Sequence, residues 1–122
     1  MDVAIVGGGI GGLTLALALQ RVGITSRVFE QTPELTGVGA GIGLWPGALK
    51  ALRELDVSPW FWDLPVCAFR WAETADAQGR RITGFDVSGL TDGLGYVVRR
   101  SDLQSAVLEQ LPAGTLVTGA RL

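Results

Sequence analysis

Gly7, Gly9 and Gly12 form a G-x-G-x-x-G run, with Gly8 and Gly11 as further glycines, and Glu30 stands eighteen residues beyond Gly12. Residues of these types at this spacing can hold a diphosphate joined to a ribose. Gly7 permits a tight turn where a side chain would clash. Gly9 lets a pyrophosphate approach the backbone, and Gly12 with Ala16 lets the following helix pack closely on a sheet. The helix start, at Ile10 and Gly11, presents unpaired N–H groups and the positive end of its dipole to the phosphates. Glu30 can accept hydrogen bonds from both ribose hydroxyls, with Gln31 beside it as a further candidate. A carboxylate there repels a 2′-phosphate, so the ligand is NAD- or FAD-like rather than NADP-like.

Such residues work only if secondary structure positions them. Val3-Ala4-Ile5-Val6 is a short apolar run, the pattern of a strand buried in a parallel sheet. Ile10, Leu13 and Leu17 then fall on one helical stripe with Ala16 beside it; Gly23 closes the helix, and Arg27-Val28-Phe29 starts a second strand that ends at Glu30. The segment reads as one βαβ half of a dinucleotide-binding fold. A glycine-rich turn in an unrelated α/β domain, with Glu30 merely solvated, is the plainer alternative. The strand before, the helix after and the acidic residue at the right distance argue against it.

Composition narrows the classes further. A chain of 122 residues is one ordinary domain at most, and with 48% apolar residues it can build a core. A net charge of −2 and no basic run argue against a nucleic-acid or anionic-membrane surface. The single cysteine, Cys67, forms no metal motif and reads as a small core residue. Histidine is absent, which removes the commonest general base and metal ligand; no metal site is expected. The apolar stretch from Ile10 to Leu19 lacks a basic leader and is too short to span a bilayer, so a soluble cytoplasmic protein is expected.

Further along, residues 37–43 make a second glycine-rich run. Its alternating glycines leave backbone unshielded, either for a flat ring to lie on at Gly41 and Ile42 or as a mobile loop. A helix follows to Leu55, with Pro46 in its first turn and Leu49, Leu52 and Leu55 as its stripe. Trp60, Phe61 and Trp62, between Pro59 and Pro65, read as a short helical turn packed on the core. Segments 68–73 and 80–87 read as an antiparallel hairpin with one wet side, Phe69 and Trp71 sharing a face, within an excursion over 66–88. Residues 89–95 read as a loop with a turn at Asp92-Gly93, and 96–100 as extended. Ser101 reads as the cap of a helix over 102–110, with Leu103, Val107 and Leu111 inward, and 115–118 as a third sheet strand.

These residues carry a family resemblance. Gly7, Gly9, Gly12, Ala16, Gly23, Val28 and Glu30 are similar to the extended FAD fingerprint of flavoprotein monooxygenases, with Ser26 departing where valine is usual. Gly39-Ala40-Gly41-Ile42-Gly43-Leu44-Trp45-Pro46 resembles the G-A-G-I-x-L-x-P segment of the single-component aromatic hydroxylases, relatives of salicylate and 3-hydroxybenzoate hydroxylase. Val98-Arg99-Arg100-Ser101-Asp102-Leu103 resembles their R-x-x-L segment, with Arg100 at the arginine position. Gly47 replaces a usual asparagine, and Asp56 a usual glycine after the second helix.

The resemblance implies a Rossmann-like α/β FAD-binding domain with a β-hairpin insertion reaching toward a substrate domain. It also implies that the fold is incomplete over 1–122, because the family's later G-D motif and much of its substrate pocket are not in this sequence. It implies an NAD(P)H- and O2-dependent enzyme that hydroxylates or epoxidises an aromatic or alkene small molecule. The Gly7–Gly12 turn would take the pyrophosphate, Glu30 the ribose, Gly41 and Ile42 the flavin ring, and Arg100 a polar cofactor atom. No residue is assigned as a catalytic acid, base or nucleophile. The chain would be inactive alone and would self-associate or need a completing partner chain. Two other readings stand beside it: a non-catalytic nucleotide-binding module or half of a split protein, and an NAD-dependent dehydrogenase or reductase.

Overall fold

In the computed structural model the described residues are 2–35, 40–65, 67–87 and 95–121. The first strand, β1 (Val3–Val6), runs into the glycine turn, and helix α1 (Ile10–Arg21) leaves it. Strand β2 (Ser26–Phe29) returns parallel to β1, pairing Val3 with Ser26 through to Val6 with Phe29. Strand β8 (Leu116–Val117), near the end of the chain, lies parallel on the far side of β2, giving the order β1-β2-β8. The βαβ unit and the third sheet strand stand as the sequence predicts.

Helix α1 ends because Gly23 adopts φ +76°, which lets the Gly23 and Ile24 N–H groups fold back on the Gln20 and Leu19 carbonyls. Its inward stripe is buried at Leu13, Ala16 and Leu17. Helix α3 (Arg100–Leu108) packs against that stripe through Leu103, Ala106 and Val107, and Val28 and Ile5 supply the sheet side of the same core. The other face of β1 is uncovered: Val6 is 74% exposed.

A second, antiparallel sheet is built from β3 (Gly41–Leu44), β7 (Gly95–Arg99) and β4 (Cys67–Phe69), in the order β3-β7-β4. Gly41 to Leu44 is therefore a strand rather than a mobile loop, held by pairing with Tyr96 to Arg99. Residues 37–39 of the glycine-rich run lie outside the described residues, as does the 89–94 part of the expected loop with its Asp92-Gly93 turn. Helix α2 (Pro46–Glu54) follows β3 with Pro46 in its first turn and Leu52 buried, and a 3-10 turn (Pro59–Asp63) buries Phe61.

Four expectations are corrected by tertiary context. Segment 68–73 is not one strand. The chain changes sheets at Arg70, so Phe69 in β4 lies over Gly95 of β7, whereas Trp71 opens β5 (Trp71–Ala75), which pairs with β6 (Arg81–Asp86). That hairpin has two wet sides rather than one, because nothing among the described residues covers either face; Trp71, Ile82 and Phe85 are all exposed. Cys67 is exposed, since β4 is a sheet edge and not core. Ser101 does not cap α3: the helix starts at Arg100, its cap position is Arg99, and no side chain bonds there. The Arg100 N–H donates to the Ala40 carbonyl at 3.0 Å, so the β3 strand entry satisfies the first N–H of the helix.

Candidate functional site

The turn between β1 and α1 lies at the carboxyl end of the parallel strands, where ligands of such sheets bind. Gly7 holds φ +101°, a conformation that L side chains rarely adopt. A Cβ on Gly12 would overlap the Gly7 carbonyl and lie 3.3 Å from Ile5 Cγ2, so the protein's own packing requires glycine there. Gly9 and Gly11 differ. A Cβ on Gly11 meets nothing within 4 Å, and one on Gly9 meets only Arg100 Nη2 at 3.5 Å. The protein leaves open the space that side chains at these two positions would fill, so its own packing does not require glycine at either. The cap of α1 is Gly9 itself, with no side chain bonded to the helix start, so the first N–H groups face outward.

Glu30 closes one side of the turn. Its Oε2 accepts from the Gly8 N–H at 2.7 Å, and its Oε1 accepts from the Thr32 N–H at 2.9 Å and the Thr32 hydroxyl at 3.0 Å. The Thr32 N–H, then the Gly8 N–H and the Thr32 hydroxyl, hold its carboxyl below the ordinary value of 4.5. The group is therefore an anion with acceptor capacity only. A carboxylate offers about four lone-pair sites, so with three bonds made, one ribose hydroxyl fits directly and a second requires the Thr32 hydroxyl to turn away. The chain after β8 braces this corner, the Gly119 and Ala120 N–H groups donating to the Thr32 and Glu30 carbonyls.

Arg100 closes the other side. It opens α3 with its guanidinium against Gly9, and no carboxylate or carbonyl among the described residues accepts from it. Gly41 and Ile42 reach the same place through the backbone: they pair with Arg99 and Val98, and Ala40 just before them accepts the Arg100 N–H. Gln31 is exposed on the rim beside Glu30. The structure thus gathers Gly7, Gly9, Ile10, Gly11, Gly12 and Glu30 around one turn, sets Arg100 across from Glu30, and leaves Gln31, Gly41 and Ile42 at the margins.

One residue was missed from sequence. Gln104, 6% exposed, donates from Nε2 to the Gly8 carbonyl at 2.8 Å. A glutamine facing inward on the Leu103–Val107 side of α3 is the only signal that marks it. No group of three or more metal-ligating side chains occurs among the described residues, and no described helix is long and apolar enough to cross a membrane. A cleft of about 430 Å³ lies at the opposite end of the sheet, lined by Gln20, Gly23, Thr25 and Gly114, away from the glycine turn.

These residues fit an adenine dinucleotide: an open glycine backbone, a helix start with no side-chain cap, a fixed carboxylate and a guanidinium with no acceptor among the described residues. Comparison with known proteins agrees. The chain is 35% identical over 129 aligned positions to the aurachin C monooxygenase/isomerase of Stigmatella aurantiaca, covering all of this chain and 32% of that protein. It is 34% identical to 3-amino-4-hydroxybenzoate 2-monooxygenase of Streptomyces cremeus, over 96% of this chain and 31% of that one. Its fold superposes on HpxO of Klebsiella pneumoniae, solved with FAD and uric acid, with a TM-score of 0.73 and 28% identity over 99% of this chain and 31% of HpxO. The chain therefore spans about a third of the length of these relatives. A family model described as an FAD binding domain matches residues 1–89, and the chain belongs to that family.

Proposed function

We propose that this chain is the FAD-holding part of an FAD-dependent monooxygenase that uses NAD(P)H and O2 to hydroxylate or epoxidise an aromatic or alkene small molecule. The single observation that carries the reading is the Glu30 carboxylate clasped to the Gly8 N–H on one side of the turn, with the Arg100 guanidinium against Gly9 on the other. Bound FAD would supply the redox chemistry and the activation of oxygen. The chain's residues hold it. Glu30 accepts from the adenosine ribose, and its charge disfavours a 2′-phosphate at that position. The open backbone of Gly9, Ile10 and Gly11 receives the diphosphate at the start of α1, and Gly12 keeps the helix close to β1. Arg100 offsets the diphosphate charge or donates to another polar cofactor atom. The Gly41–Ile42 backbone borders the flavin ring, and Gln31 lies by the adenosine.

The hairpin of β5 and β6, bare on both faces, extends toward a substrate domain. An NAD-dependent dehydrogenase would share the glycine turn and Glu30, but has no use for a second sheet that delivers an arginine to that turn. Both relatives are named monooxygenases, and the name of the Streptomyces cremeus relative supports a small aromatic substrate, 3-amino-4-hydroxybenzoate. The test is a titration of the purified protein with FAD and, separately, with NAD+, followed by the visible spectrum. Flavin bands that co-purify or saturate support the reading; tight NAD+ binding by a colourless protein that ignores FAD overturns it.

A further inference from the structure

We infer that Gln104 is a positioning residue for the cofactor diphosphate, acting by fixing the orientation of the Gly8–Gly9 peptide. The inference rests on the FAD-binding reading above. Both polar groups of Gly8 are claimed by side chains distant in sequence: its N–H by Glu30 Oε2 at 2.7 Å and its carbonyl by Gln104 Nε2 at 2.8 Å. No cis peptide bond occurs among the described residues. In a trans peptide the C=O and the following N–H point in opposite directions. Holding the Gly8 carbonyl toward buried Gln104 therefore turns the Gly9 N–H outward, and no acceptor for that N–H occurs among the described residues.

The same helix does two tasks at one spacing. Arg100 and Gln104 stand four residues apart on α3, one above the other on a single face. Arg100 brings a cation to the turn, and Gln104 orients a neutral donor of the same turn. A peptide free to flip would present the Gly8 carbonyl, a partial negative charge, to an incoming phosphate. Gln104 blocks that flip, because the rotated peptide would leave its buried amide unpaired.

The test uses Gln104→Met, which keeps the side-chain volume and removes the donor, and three probes: adenosine, ADP and FAD. Adenosine reaches Glu30 but carries no phosphate. We expect Gln104→Met to weaken ADP and FAD binding about tenfold while adenosine changes less than about twofold. In ¹⁵N-labelled wild-type protein, the Gly9 amide resonance should move on addition of ADP but not of adenosine. Equal losses for adenosine and ADP, or no loss for either, would show a role in packing alone and overturn the inference. A Gly9 resonance unmoved by ADP in the wild type overturns it as well, and needs no variant to fold. Wild-type protein that takes up neither FAD nor ADP would overturn the function proposed above together with this inference. Normal wild-type uptake with an unaffected Gln104→Met would overturn this inference alone.

Discussion

Glu30 and Gly8 are joined by a hydrogen bond of 2.7 Å, carboxylate to backbone N–H, across a sequence separation of 22 residues. The bond fastens the end of β2 to the turn that leaves β1, so the carboxylate and the glycine turn, proposed above to hold a ribose and its phosphates, form one corner. A Cβ on Gly8 would sit 2.9 Å from Glu30 Cβ, and this contact keeps the second glycine of the turn small.

The charge of Glu30 makes the corner pH-sensitive. Its folded-state pKa lies below the ordinary 4.5, chiefly through the Thr32 and Gly8 N–H groups. Its contribution to stability is therefore complete above 4.5 and is lost as pH falls through the lower folded value. Melting temperatures of wild type and Glu30→Gln should converge as the solution is acidified below that range and differ most near neutrality. A constant difference at all pH values would show that the charge is not what holds the corner. At neutral pH Glu30→Gln should also weaken FAD binding about tenfold or more.

Gly11 and Gly12 are neighbours with opposite expectations. Gly12→Ala drives a Cβ into the Gly7 carbonyl and should destabilise the fold by about 2 kcal/mol or more. Gly11→Ala meets nothing in the protein and replaces a poor helix former on α1, so it should stabilise by about 0.5–1 kcal/mol. On the proposed reading the same methyl group projects into the cofactor's space, and FAD affinity should fall. Chemical denaturation and flavin titration of the pair separate packing from binding.

Asp56 carries φ +54°, the only non-glycine residue with positive φ among those described. It occupies the position after α2 where the Asp56 and Val57 N–H groups return to the Arg53 and Leu52 carbonyls, a geometry that favours glycine. Asp56→Gly relieves that strain and gives up an exposed ion pair with Arg21 at 3.7 Å, worth little in water. A gain of up to about 1 kcal/mol is expected by thermal denaturation.

Ser58 is buried and bonded twice, donating to Glu109 Oε2 at 2.7 Å and accepting from Gln110 Nε2 at 3.0 Å; Trp60 Nε1 donates to the same Glu109 oxygen at 2.7 Å. The cluster ties the 3-10 turn to the end of α3, the helix that carries Arg100 and Gln104. Ser58→Ala should cost about 1 kcal/mol in denaturant unfolding and leave FAD affinity unchanged, since the tie lies at the far end of that helix.

Among the described residues nothing pairs the outer edge of β1, Val6 is exposed beside it, and the hairpin is uncovered on both faces, leaving backbone and apolar surface open. The 122-residue chain should therefore self-associate, and sedimentation that shows one monodisperse monomer at all concentrations would refute this.

The amino-acid order alone determined the βαβ unit, the glycine turn and the acid at its side, because local rules set each of them. A strand of four apolar residues, a 3.6-residue stripe and a left-handed glycine at position 23 need no distant partner to be recognised. Where pairing partners lie far along the chain, local rules lost. Residues 68–73 look like one strand, yet only the separate claims of β7 and β6 decide that the chain divides at Arg70. Ser101 is a good cap by type, but the Ala40 carbonyl, placed by β3, starts the helix at Arg100 instead. Cys67 has a core residue's chemistry and sits on a sheet edge. Gln104 carries no local mark of function at all, since its partner is a carbonyl 96 residues away that only the packing of α3 on α1 brings within reach. Backbone conformation follows from neighbours in sequence, whereas the direction of a buried hydrogen bond follows from which elements pack together.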